Sequence, residues 1–318
     1  MAKRKRPETE DEGPALPAAL ARIMAAGEQI IGEPDPESLK FLYTVLAQVS
    51  LPYRDPGEPE WRRQSGRASM LLTAGKLYDP KLGDWREVGL PYGAKPRLLL
   101  LHACTEAVQS GSPEIAIGDS MTAFMRDLGL QVTGGKQGTL TRFKDQLNRL
   151  VAATIRIAFT DERQANRVRL HQPAPLFREI DLWFPDDPGQ QVFWPSRVRL
   201  SDEFFENLKD HALPLDPRAV RALQHSARAL DLYSWLAYRL PRVKGPNGEP
   251  VSWRALHSQF GGTEKGQGAF RREFIHALRL AMSVYPDARI DETEDGVRLY
   301  QSRPAISFEG PGKGRRGA

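Results

Sequence analysis

Hydrophobic and polar residues alternate with two periods along this chain, and the switches between them mark its elements. Leu98–Leu101 open a thick apolar face that predicts a helix over Lys95–Gln109, and a turn at Gly111-Ser112-Pro113 leads to a short strand at Glu114–Ile117. Ser120 is placed to cap a helix whose Met121, Phe124, Met125 and Leu128 fall at i, i+3, i+4 and i+7, with Gly129 as its stop. After the loop Thr133–Gly138, Thr139 can cap a third helix with the stripe Leu140, Phe143, Leu147 and Leu150. Strand alternation follows in Ile155–Phe159, then a polar turn at Thr160–Asn166 and a returning strand at Arg167–Leu170.

Helix, strand, helix, turn, helix and hairpin form the order of a winged helix, in which the last two helices make a helix-turn-helix and the hairpin is the wing. The order recurs downstream. Asp216-Pro217 opens a short helix, and Ser226 caps a longer one carrying Leu230, Tyr233, Ala237 and Leu240. A turn at Pro246–Gly248 and a strand at Val251-Ser252 precede a helix at Trp253–Phe260, ended by Gly261. The next helix carries Phe270, Phe274, Ala277, Leu278 and Ala281 on one face, and a hairpin follows at Ala288–Asp291 and Val297–Tyr300. The copies also look alike locally: Gly135–Gly138 parallels Lys265–Gly268, and Arg167–Leu170 parallels Gly296–Leu299.

The expected fold class is therefore α+β, with two tandem winged-helix domains at 68–212 and 213–304. Residues 1–67 form an extension: a charged, Pro-rich disordered tail, helices at Leu16–Ile31 and Glu37–Val49, and a connector around Pro52–Gly66. Residues 305–318, rich in Gly, Lys and Arg, read as a flexible basic tail.

Composition narrows the function classes without choosing one. The 318 residues are 40% apolar and 27% charged, enough for two cores, and a net charge of +5 supports nucleic-acid binding only weakly. One cysteine, Cys104 in an apolar run, excludes an internal disulfide and a cysteine zinc cluster. No apolar run approaches a membrane span, and Lys3–Arg6 is followed by acidic residues and Pro rather than a signal peptide's apolar region. A cytoplasmic protein without membrane contact is the expectation.

Candidate chemistry lies on the outward faces of the two third helices. Opposite the first stripe stand Thr141, Arg142, Asp145, Asn148 and Arg149, with Lys136 in the loop before them. Arg can bond guanine O6 and N7 in pairs, Asn can do the same to adenine, and Thr can meet a thymine methyl group. The second set is Arg272, His276, Arg279 and Ser283, with Arg271 at its margin and Lys265 and Gln267 in the preceding loop. Arg163, Arg167 and Arg298 on the wings suit backbone or minor-groove contacts. Either helix alone reads as well as a merely solvated surface. Two such helices, each after a Gly/Lys/Gln loop and before a hairpin, favour duplex DNA.

Enzyme signatures are missing. The six histidines form no HExxH, no G-x-S-x-G is present, and the phosphate-loop-like Thr133–Gly138 has Leu130 and Gln137 where that motif needs Gly and Ser or Thr. Asp181, Asp186 and Asp187 sit among prolines, as in a solvated loop, and Trp183, Phe193 and Trp194 read as inter-strand core. No catalytic residue, metal site or cofactor is expected.

Several segments carry a family likeness. Gly89–Leu100 resembles the opening of the DNA-binding region of plasmid-encoded Rep initiator proteins, as do Ser120–Leu130, the Gly-Gly loop with Phe143–Leu147, and Leu51–Pro56 upstream. The likeness runs from about residue 50 to residue 300 and is densest between 68 and 170. It implies binding to direct repeats (iterons) at a plasmid origin, opening of adjacent A·T-rich DNA, and recruitment of the host initiator and helicase. It also implies dimers that repress and monomers that initiate, so a homodimer is among the expected partners. The competing reading is a winged-helix transcriptional repressor, which the absence of a ligand-sensing domain disfavours.

Overall fold

The computed structural model describes residues 23, 25–28, 30, 32, 34–66, 68–79, 82–116, 125–126, 129–133, 138–160, 168–183, 194–262, 264 and 266–306. Outside them lie the expected disordered start, the first part of the helix expected over 16–31, most of the second helix of the first module, the wing arginines Arg163 and Arg167, and residues 307–318.

The second module follows its sequence pattern closely. Helix α6 (Ala227–Arg239; α1 to α5 precede it and are placed below) is capped by Ser226, whose hydroxyl accepts from Ala229 N. Strand β12 (Glu249–Ser252), helix α7 (Trp253–Phe260) and helix α8 (Gln267–Ser283) come next, then β13 (Ile290–Thr293) and β14 (Gly296–Leu299). The three strands form an antiparallel sheet in the order β12-β14-β13. Helix, strand, two helices and a hairpin closed on the first strand is the winged-helix topology. Gly296 is required where β14 crosses β12, because a Cβ there would land on the Val251 carbonyl.

In the first module the described elements keep the expected sequence of helix, strand, third helix and hairpin, most of the second helix lying outside the described residues, and the pairing changes. Helix α2 (Ala94–Ser110) is buried on nearly every side and ends at Gly111 in the left-handed conformation. Helix α3 (Thr139–Ala152) is an amphipathic third helix burying Phe143, Gln146, Leu147, Leu150 and Val151. Thr139 is its first residue rather than its cap: Gly138 takes the cap position, and the Thr139 hydroxyl donates to Gln131 O at 2.7 Å. The hairpin strands β7 (Thr154–Thr160) and β8 (Val168–Pro175) do not pair with β6 (Glu114–Ala116). Instead β7 pairs in full register with β3 (Ala68–Thr73), itself paired with β2 (Glu60–Ser65), whereas β6 joins β10 (Trp194–Leu200) and β9 (Phe177–Trp183). The hairpin β2–β3 runs across the 67/68 division.

Two expectations about the extension are corrected. Glu37–Val49 is not one helix but a 3-10 turn (Pro36–Ser38), strand β1 (Lys40–Tyr43) and a short helix α1 (Thr44–Gln48). The β-prone run Phe41-Leu42-Tyr43 is drawn into antiparallel pairing with β11 (Ala212–Leu215), and the Phe41 N–H donates to buried Thr105 at 2.9 Å. The connector's second half is strand β2, whose period-two pattern turns Trp61 and Arg63 inward. Helices α4 (Asp202–Asp210) and α5 (Pro217–Leu223) link the modules, the latter capped by Asp216 as its Asp-Pro sequence predicts. One continuous buried cluster runs from Leu42 through α2, α3 and α6 to Leu299. A separate hairpin, β4 (Lys76–Asp79) with β5 (Asp84–Glu87), leaves Tyr78, Leu82 and Trp85 exposed.

Candidate nucleic-acid interface

On α8 the apolar stripe anchors the outward face. Phe270 and Phe274 are buried, their rings 5.6 Å apart, and Phe274 meets Trp253 and Phe260 of α7 at 5.8 Å each. That packing turns Gln267, Arg271, Arg272, His276 and Arg279 to solvent. No carboxylate pairs with Arg272 or Arg279 among the described residues. Arg271 differs: it pairs with Glu292 at 3.1 Å and lies 4.8 Å above the Trp253 ring. Arg298 is half-buried on β14, donating to Asn247 O at 3.0 Å, and Ser283 donates to Leu280 O at 2.8 Å. Lys265 lies outside the described residues.

The first set divides. Thr141, Arg142 and Asp145 are exposed on α3. Arg149 is half-buried and held by partners within the protein. It pairs with Asp55 at 2.8 Å and Asp145 at 2.9 Å, donates to Leu90 O at 3.3 Å and lies 5.2 Å from the Tyr92 ring. A Cβ on Gly89 would strike its guanidinium, so the Gly-Leu-Pro-Tyr segment is shaped around it. Asn148 is half-buried, and its Oδ1 has no hydrogen-bond partner among the described residues. Lys136, Arg163 and Arg167 lie outside the described residues.

Three further cations, Lys95, Lys144 and Arg254, stand beside the expected ones. Lys95 stands near Arg142, and burial together with that guanidinium holds its ammonium below the ordinary lysine range. Burial lowers Lys144 on α3 in the same direction. The sequence signal for Lys95 is its place as the first residue of the helix expected over Lys95–Gln109, within the family-like segment Gly89–Leu100. Exposed Arg254 on α7 adds a cation to the second module's helix-turn-helix. Among the described residues no group of three His, Cys, Asp or Glu is placed to hold a metal ion, and no helix is long and apolar enough to cross a membrane.

What these surfaces offer is cations and amide or hydroxyl groups on helices held rigid from behind. Comparison with known proteins sets this in context. No curated protein matches the chain. Similar solved structures include selenomethionine-derivative domains 2 and 3 of RctB, at 13% identity with 81% of this chain and 96% of that one covered and a TM-score of 0.49, and RctB domains 2-3, at 12%, 77%, 83% and 0.46. At those scores they add nothing to the topology. The family model described as "Plasmid encoded RepA protein" matches residues 90–254, which takes in α2, α3, the first-module hairpin, α6 and the start of α7. With more than half of its length matched, the chain belongs to the plasmid encoded RepA protein family of replication initiators.

Proposed function

We propose that this protein initiates plasmid replication by binding repeated duplex-DNA sites at the origin through its two winged-helix modules. The single observation that carries the reading is α8: an outward face with Arg272 and Arg279 free of carboxylate partners among the described residues, set on a closed winged-helix sheet. Such a helix fits the major groove, and Arg side chains there can address guanine edges or phosphates. In the first module Arg142, Thr141 and Lys95 take the corresponding part, and Arg149 serves to hold the helix in place. Binding energy does the work in this reading: contacts to adjacent repeats favour opening of A·T-rich DNA and bring in the host initiator and helicase.

The test is a footprint of the purified full-length chain on its cognate origin, with affinity followed against salt. The expected result is protection over more than one helical turn and a log–log salt slope of about −0.9 per phosphate neutralised. Protection of less than a turn would remove the second reader. A minimal origin that replicates without this gene would remove the initiator role and leave the repressor reading.

A further inference from the structure

A buried cluster joins the two modules, and the DNA-reading surfaces do not account for it. Arg97, on α2 of the first module, meets Asp231, on α6 of the second, through two parallel bonds: Nε to Oδ1 and Nη2 to Oδ2, both 2.7 Å. Its other donors reach the carbonyls of Leu51 at 2.6 Å, Pro52 at 3.2 Å and Gly93 at 2.6 Å. One guanidinium therefore ties α2, α6 and the incoming chain together. The ring of Tyr53, the next residue along, lies 4.9 Å from the Arg97 guanidinium and 4.7 Å from that of Arg228 on α6. Arg228 carries the connection outward. It pairs with Glu264 in the turn before α8 and with Glu273 on α8 itself, the latter at 2.8 Å.

Strand β2 adds a second brace. Buried Arg63 donates to the Gly261 carbonyl at 2.5 Å, at the C-terminal end of α7 where a cation suits the helix dipole. Its Nε and Nη2 have no partner among the described residues, and burial lowers its pKa to about 10. Gln259 Nε2 on α7 donates to Gln48 O at 2.9 Å, and the Ser258 hydroxyl donates to Gln64 O at 3.2 Å. Buried charge is an inefficient way to add stability, since apolar residues of similar volume often do as well. What two forked bonds and three carbonyl contacts do enforce is one placement.

We propose that the Arg97–Asp231–Tyr53–Arg228 cluster fixes α8 relative to the first module and thereby sets the spacing between the two sequence elements of a DNA site. These are positioning residues, and the inference rests on the two-module reading above. Winged-helix partners address elements about one helical turn apart, so a rigid coupling makes each added base pair a rotation the protein has to resist.

The experiment measures binding of the full chain to its own selected duplex, with single base pairs added stepwise between the two protected elements. Wild-type protein is expected to lose about tenfold in affinity or more on the first additions. Tyr53→Leu and Arg228→Gln are expected to reduce that penalty to below about threefold, with preference within each element unchanged. Variants that keep the full penalty, or a wild type indifferent to spacing, would overturn the inference and leave DNA binding standing. A wild type that binds no duplex specifically, or protects a single element, sinks the two-module reading and this inference with it. If Tyr53→Leu fails to fold, Arg228→Gln decides alone, because Gln keeps an amide N–H to donate to Glu264 and Glu273.

Discussion

The two modules share the order of their described elements and close it in different ways. In the second, all three strands lie between residues 249 and 299 and pair with one another. In the first, β6 and the β7–β8 hairpin belong to separate sheets, completed by strands from as far away as residues 60 and 200. The outward arginines differ in where their partners come from: on α8 Arg271 pairs with Glu292 of its own module, and Arg272 and Arg279 have no ion pair among the described residues, whereas on α3 Arg142 is exposed but Arg149 pairs with Asp55 of the distant connector as well as with Asp145. A locally closed module leaves its surface free for a ligand. A module completed by distant segments uses part of that surface to hold them.

The largest expected effects test whether this contrast stops at the core. Phe143→Ala in α3 and Phe274→Ala in α8 should each cost about 3–5 kcal/mol. Because both residues belong to one cluster, each should lower a single common transition in a denaturant titration followed by circular dichroism. Two separable transitions, each moved by one variant, would mean the modules fold as independent units. Arg97→Ala, which leaves Asp231 buried without its partner, should cost about 3–5 kcal/mol in the same titration, and the apolar double replacement Arg97→Met with Asp231→Leu much less.

Smaller effects should separate the two reading helices. Arg279→Ala should weaken specific duplex binding by about 1–3 kcal/mol if it addresses a base, with stability changed by less than about 0.5 kcal/mol. Arg149→Ala should do the opposite, lowering stability by about 1 kcal/mol while sequence preference survives. Equal behaviour in gel-shift and melting assays would erase the distinction between α3 and α8. The smallest effect concerns the turn before α8. Burial raises the Glu264 pKa, but hydrogen bonds from backbone N–H groups, Gly262's among them, and the Arg228 cation outweigh it, so the carboxyl sits below its usual 4.5. Its contribution is present above that value and lost as pH falls through the depressed one, so acid should loosen this turn. A stability–pH curve for Glu264→Gln that falls as steeply as wild type between pH of about 5 and 3 would exclude it.

The same contrast explains what could be read from the residues alone. In the second module, the cap at Ser226, the stop at Gly261 and the phenylalanine stripe are local signals, and the elements stand where those residues put them. In the first, α2, α3 and the hairpin were legible, but the partners of β6 and β7 were not, since pairing between segments far apart in the chain leaves no periodicity behind. Phe41-Leu42-Tyr43 suits strand or helix, and β11 decides between them. The outward face of α8 followed from counting at 100° per residue. The holding of Arg149 did not, because Asp55 and Tyr92 lie far from it in sequence, Asp55 in the segment read as connector.

Cys104 gives the molecule a further property. It is the chain's one cysteine, wholly buried on α2, and burial pushes its thiol up to about 12. The native fold is therefore silent toward thiol reagents, and probes placed on cysteines introduced elsewhere need no background removed. Labelling of Cys104 itself becomes a clock: it records how often the shared interior opens around α2, a central place from which to watch both modules let go.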